Sequence, residues 1–412
     1  MSDDALPSRI PAVVIGAGPG GLAAAAELKR AGIEAIVFDK SDRVGSSWAG
    51  HYDRLHLHTS RGLSGLPGFR IPRRYGRWVA RDDVLRYLAQ YAAVHDLDVR
   101  LGVAASAVER AGDEWQVAWT RDDEHGVITA TTVVIATGYN HSPKVSDWPG
   151  LDTYTGTVLH SSAYRNPESL GARDVLVVGP GNSGAEIAAD LAESGATVSL
   201  AVRTPPNIVR RAVVGIPSQA LILSMAAFPM KVQDALAGAL QRVAVGDLRT
   251  YGIPKAPRGI ATQQARDDVT PTLDVGLLRA LKAGRVTVVA AVSGFTPDAV
   301  VLADGTRLHP EAIVLATGFR RGLEPLVGEL GVLARNGRPL VNADGQLPAH
   351  PGLFFLGYSN PLTGNLRQLG IDARKIAIAS SGGSTRQAAV LSATRRPGLR
   401  WAALSRRSGG RG

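Results

Sequence analysis

Apolar residues in this chain gather in short unbroken runs that stop at a glycine, and two of these runs open matching stretches. PAVVIGAGPGGLAAAAELKRAGIEAIVFDK starts at Pro11, and DVLVVGPGNSGAEIAADLAESGATVSLAVR starts at Asp174. Each predicts a buried strand, a glycine turn, an alanine-rich helix closed by a glycine, and a second buried strand. A further pair of echoes, VVIATGY at Val133–Tyr139 and IVLATGF at Ile313–Phe319, predicts short buried strands that break at a glycine. The alternation of strand and helix gives an α/β class with two dinucleotide-binding, Rossmann-like domains, one inserted into the other. The expected first domain covers residues 1–165 and 318–380, and the inserted domain covers residues 166–317. Within the insert, residues 215–248 carry apolar positions at mixed three and four spacing and read as helical.

The two glycine turns carry the first chemistry. Gly16, Gly18 and Gly21 follow a strand and open a helix. In such a turn the first glycine allows the bend, the second lets the backbone approach a pyrophosphate, and the third lets helix and strand pack closely. Asp39 ends the next strand, where a carboxylate accepts hydrogen bonds from ribose hydroxyls, and Lys40 follows it. Gly179, Gly181 and Gly184 repeat the pattern, with Asn182 and Ser183 inside the turn. Its following strand ends in TVSLAVRT with no acid and with Arg203 just beyond. A carboxylate there would repel a 2′-phosphate, whereas a guanidinium binds one. The second site is therefore expected to take NADPH. Two dinucleotide sites imply one hydride donor and one acceptor, and Asp39 suits the unphosphorylated ribose of FAD at the first. Gly138 and Gly318, which break the paired ATG strands, join the cofactor-binding candidates.

Composition then removes alternatives. The 412 residues include no cysteine, which excludes disulfides, thiolate metal sites and a CxxC redox centre. No metal site is expected. The net charge is +10, but the residues from Ser381 onward hold seven arginines and no acid, leaving +3 for the rest. Residues 381–412 read as a basic tail without order of its own, and no nucleic-acid module is evident. The opening MSDDALPSRI is polar and acidic, and the longest apolar run, near Ala220–Met230, is interrupted by Ser224 and Pro229. A cytoplasmic protein with no membrane span, a small-molecule substrate and the option of a homodimer is expected. At this level quinone or ferredoxin reductases, oxidases and monooxygenases all remain open.

One stretch between the two turns resembles a known fingerprint. YTGTVLHSSAY places Tyr154, Gly156, His160 and Tyr164 at the spacing of the FxGxxxHxxxY segment of flavin-containing (class B) monooxygenases. VGSSWAGHYDRLHLHTSRGLSGLP (Val44–Pro67), GDLRTYGIP with the following TPTLDVGLLRALKAGRV (Gly246–Val286), and LFFLGYSNPLTGNLRQLGIDARKIA (Leu353–Ala377) resemble segments of the YUCCA-type members. The resemblance implies an enzyme that holds FAD, NADPH and O2 and passes one oxygen from a flavin C4a-hydroperoxide to an amine, a sulfide or a 2-oxo acid. It implies that Trp48 packs near the flavin, and that Gly357 lies on the last flavin-contacting strand. It places Thr59 and Ser60 where relatives support the flavin. His160 is expected to organise the site rather than transfer protons. The alternative is an NADPH-dependent reductase serving a quinone or protein partner, which would share both glycine turns without needing the Tyr154–Tyr164 segment.

Overall fold

The computed structural model describes residues 5–382; the basic tail lies outside the described residues beyond Gly382. The first apolar run becomes strand β1 (Arg9–Ile15), followed by helix α1 (Pro19–Arg30) and β2 (Ala35–Asp39). Helix α2 (Arg81–Val94) leads to β3 (Asp98–Leu101), and an antiparallel excursion follows through β4 (Ala104–Ala111), β5 (Glu114–Arg121) and β6 (Glu124–Ile135). Their sheet has the order β3-β2-β1-β6-β5-β4, with β1 parallel to both β2 and β6. Strand β6 pairs antiparallel with β5 along Glu124–Ala130 and reaches on to Ile135 beside β1.

A second sheet is wholly parallel. Strands β7 (Thr157–His160), β8 (Asp174–Val178), β9 (Thr197–Ala201), β10 (Val286–Val289) and β11 (Ala312–Leu315) take the order β10-β9-β8-β11-β7. Helix α3 (Asn182–Glu193) connects β8 to β9, and helices α4 (Ser218–Met225) and α5 (Met230–Ala244) lie between β9 and β10. The chain then returns to the first sheet through β12 (Leu353–Phe355), parallel to β6, and ends in α6 (Asn365–Ser380). The sequence division placed residues up to 165 with the first unit, but β7 pairs with β11 in the second sheet. A four-residue run of Thr, Val, Leu and His has no pattern that names its partner strand, so only the tertiary pairing decides.

Both strand–turn–helix units are dry. Ala12, Val13, Val14 and Leu22 in the first, and Val175, Leu176, Val177, Ile187 and Ala188 in the second, have no exposed surface. The alanines of α1 and α3 let each helix lie close on its sheet, and the glycines set the limit of approach. A Cβ on Gly21 would sit 1.7 Å from the Gly16 carbonyl oxygen, and one on Gly184 would sit 1.9 Å from that of Gly179. Backbone cannot yield as a flexible side chain can. Gly184→Ala is expected to lower stability by about 1–3 kcal/mol through overpacking, read as a lower urea midpoint at unchanged m-value.

Candidate functional site

The two glycine turns share one geometry. Gly16 and Gly179 take φ of +112° and +110°, and their missing Cβ atoms leave room for the carbonyls of Ala136 and Ala316, at 2.5 Å and 2.6 Å. The middle glycines differ in kind. Around Gly18 and Gly181 nothing lies within 4 Å of where a Cβ would stand. No protein atom requires glycine there, so the open space suits a group from outside the chain. Helices α1 and α3 start at these glycines with no side-chain cap, which leaves first-turn N–H groups directed at that space. The residues present therefore fit a phosphate-bearing cofactor at each turn.

The ends of the two units diverge. Asp39 lies at the end of β2, and its carboxylate accepts from the N–H of Ala17 at 2.7 Å and of Ser41 at 2.9 Å. These bonds fix the carboxylate against the glycine turn and still leave lone pairs outward. Lys40 is exposed, and its charge, after burial, helps hold His141 below the usual imidazole range. Arg203, just past β9, is exposed, and no ion pair is seen for it among the described residues. The Asn182 side chain is engaged within the chain. Its Oδ1 accepts from the Leu273 N–H at 2.8 Å and its Nδ2 donates to the Pro271 carbonyl at 3.3 Å, so it braces the turn. Ser183 lies beside the Tyr52 hydroxyl, whose acidity burial lowers and Ser183 partly restores.

The Tyr154–Tyr164 segment is explained contact by contact. The Tyr154 ring covers Gly156, where a Cβ would lie 2.6 Å from the ring, and the ring meets Phe295 edge-on at 5.5 Å. His160 Nδ1 accepts from the Ser162 N–H at 3.1 Å, so the ring proton sits on Nε2 and is donated to the Gly318 carbonyl at 3.0 Å. Burial pushes the His160 imidazole below its usual range, against the pull of that carbonyl, and the ring is neutral at pH 7. The Lys144 N–H donates to the same carbonyl at 3.0 Å. His160 thus secures the glycine turn after β11, where Gly318 has φ +83°; Gly138 after β6 has φ +72°. Tyr164, 1% exposed, donates to Asp190 Oδ2 of α3 at 2.8 Å.

Asp190 belongs to an acidic face that the sequence reading did not single out. Glu186, Asp190 and Glu193 lie at i, i+4 and i+7 on α3. Tyr52 donates to Glu186 at 2.9 Å, His58 Nε2 lies 3.4 Å from the same carboxylate, and Arg54 pairs with Asp190 and Glu193 at 3.1 Å each. Glu186 is 1% exposed. The visible signal was three acids spaced on one side of an otherwise alanine-rich helix. Trp48 sits at this seam, half-buried, and packs against the apolar clusters of both units.

Thr59 and Ser60 lie further along the segment that carries Trp48, and Gly357 lies apart from it. Thr59 bonds the Ser64 hydroxyl at 2.7 Å, and Ser64 donates to the Ser60 carbonyl at 2.8 Å. Both candidates are thus engaged in a local turn. Gly357, at φ +94°, lies after β12 with its Cβ position 3.1 Å from Leu369 of α6. Among the described residues no group of His, Asp or Glu could hold a metal ion, and no helix is long and apolar enough to cross a membrane.

Comparison with known proteins gives a consistent result. Residues 13–214 match the pyridine nucleotide-disulphide oxidoreductase family. The indole-3-pyruvate monooxygenase YUCCA1 of Oryza sativa subsp. japonica is 34% identical over 298 residues, covering 71% of this chain and 73% of that protein. The probable indole-3-pyruvate monooxygenase YUCCA9 of Arabidopsis thaliana is 32% identical over 370 residues, covering 89% and 87%. A variant of the flavin monooxygenase from Stenotrophomonas maltophilia superposes with a TM-score of 0.72 at 25% identity, over 91% of this chain and 99% of that one.

The seam also sets a pH response. Burial, then the charges of Arg165 and Arg81, push the His51 imidazole down to about 4 from an ordinary 6.5. Between those values the unfolded chain takes up a proton that the folded chain refuses, so stability falls as pH falls through that window. The loss is expected to be on the order of 1–3 kcal/mol. Urea titrations from pH 7 to pH 4.5 should show a shallower decline for His51→Phe than for the parent.

Proposed function

This chain belongs to the YUCCA-type family of flavin-dependent monooxygenases, and from that premise we propose that its two glycine turns hold FAD and NADPH in separate Rossmann-like domains. The observation that carries the assignment is the pair of matching cradles with unlike ends. Open space at Gly18 and Gly181 admits a pyrophosphate at each turn. Asp39 at the first end accepts from ribose hydroxyls, and Arg203 at the second meets a 2′-phosphate. The FAD domain would comprise residues up to the start of β7 and those after β11, and the NADP domain would comprise the second sheet with its helices.

FAD, when bound and reduced by NADPH, supplies the chemistry that activates O2 for transfer to a substrate. The chain's own residues bind, orient and exclude water. Asp39 and the α1 N-terminus hold the adenosine and pyrophosphate end of the flavin. The first-turn amides of α3 and Arg203 hold NADPH, with Asn182 keeping the turn rigid. His160 keeps its proton on Nε2 and holds the Gly318 turn, a positioning role without proton transfer. Trp48 closes the seam between the domains, and Thr59, Ser60 and the Thr363–Gly364 turn would border the flavin. No side-chain nucleophile is required.

The names of the relatives, indole-3-pyruvate monooxygenases, support an aromatic 2-oxo acid as the first substrate to try beside small amines and sulfides. The reaction then consumes one NADPH and one O2 per substrate oxygenated.

Cofactor choice gives the sharpest test. Arg203→Glu would place a carboxylate against the 2′-phosphate and is expected to lower the NADPH-over-NADH ratio of kcat/KM on the order of 100-fold. Steady-state NAD(P)H oxidation with both cofactors measures it. An unchanged ratio removes Arg203 from the site.

A further inference from the structure

Helix α4 inverts the usual burial pattern. Its sequence, SQALILSM, is apolar apart from its serines and Gln219, yet Leu221, Ile222, Leu223 and Met225 are only half-buried. The buried residue of this helix is Gln219, at 5% exposure. A polar side chain goes inside when it makes specific hydrogen bonds, because an unmade bond there costs more than a made one gains.

Both ends of the Gln219 amide are used, and by backbone from two distant parts of the chain. Oε1 accepts from the Ser60 N–H at 3.1 Å, and Nε2 donates to the Thr363 carbonyl at 2.7 Å. An N–H on one side and a carbonyl on the other fix the amide orientation without ambiguity. The surroundings are cut to admit it. Gly364 has φ +102°, and a Cβ there would lie 2.5 Å from Gln219 Nε2 and 2.9 Å from Thr59 Cγ2. The Ser60 carbonyl accepts from the Ser64 hydroxyl, and the Ser60 N–H finds its acceptor in Gln219. Two further contacts tie the chain just ahead of α4 to the first unit. Arg77 donates to the Gly215 carbonyl at 2.5 Å, and Arg211 lies 5.1 Å over the Trp78 ring.

We propose that Gln219 is a positioning residue: it pins the Thr59–Ser64 turn and the Thr363–Gly364 turn to each other, and makes α4 a cover over the flavin end of the site. This assignment rests on the placement of the flavin in the preceding subsection. With both bonds made, the two turns cannot part, and water is kept from the reacting end. With them broken, the cover loosens and the electrons of NADPH are lost to oxygen, as NADPH, H+ and O2 yield NADP+ and H2O2.

The test uses the flavin-loaded full chain and two variants. Gln219→Leu removes both bonds. Gln219→Glu keeps an acceptor for the Ser60 N–H but sets a carboxylate against the Thr363 carbonyl. Hydrogen exchange read by mass spectrometry should show residues 59–64 and 361–366 exchanging roughly two- to tenfold faster in Gln219→Leu, as loss of one bond at each turn implies. In Gln219→Glu only residues 361–366 should loosen. Peroxide released per NADPH consumed should rise in both variants by at least about twofold while flavin absorbance is retained, a change that a merely structural role would not produce. Should Gln219→Leu fail to fold, Gln219→Glu alone decides. Unchanged exchange at both turns, equal loosening of both in Gln219→Glu, or unchanged peroxide release overturns the proposal. Parent protein that binds no flavin or does not oxidise NADPH would instead sink the functional reading, leaving the exchange result to judge the latch by itself.

Discussion

Everything in this molecule that concerns two cofactors depends on the acidic face of α3. Glu186 is buried and carries a carboxylate, and a buried carboxylate without partners is strongly destabilising. Tyr52 and His58 come from the first unit to meet it, and Arg54 and Tyr164 meet Asp190 one turn on. The stretch from Trp48 to Ser60 is therefore bound to the very helix that opens at the second glycine turn. Whatever that turn holds, and whatever Trp48, Thr59 and Ser60 support, share one frame. Removing a single partner would leave charge behind in a dry seam, so the relative placement of the two units is set by electrostatics as much as by apolar packing.

The Tyr154–Tyr164 segment extends that frame across the second sheet. Each of its marked residues does a mechanical job: Tyr154 lies on Gly156, His160 holds the Gly318 carbonyl, and Tyr164 reaches α3. The spacing of these residues alternates between no regular period because they serve three different neighbours. A strand, a glycine turn and the C-terminal half of α3 are stapled by eleven consecutive residues. An enzyme whose chemistry resides in a bound flavin needs its protein to hold geometry and exclude water, and these contacts are of that kind.

Much of this was legible in the sequence where the constraint is local. The glycines at 16, 21, 179 and 184 declare themselves because a tight turn and a close helix leave no other residue possible, and those at 18 and 181 complete the pattern with open space beside the backbone. Elsewhere the sequence was silent. Asn182 is a cofactor-binding candidate by its place in the turn, and its side chain is also held by Pro271 and Leu273, some ninety positions away, which no spacing reveals. Strand β7 joined the second sheet because of its pairing with β11. Gln219 sits in an apolar run that invites a reading as plain packing, and its partners at Ser60 and Thr363 lie far off on either side. Polar contacts between distant segments are properties of the assembled fold.

The most direct measurement follows the oxygen atom. The flavin-loaded protein would be given NADPH, 18O2 and a panel of aromatic 2-oxo acids, amines and sulfides, with products read by mass spectrometry and peroxide assayed in parallel. The account predicts one 18O atom in the product of at least one substrate, with peroxide falling as that product rises. NADPH oxidation that ends wholly in peroxide across the panel, with no label in any product, would contradict it.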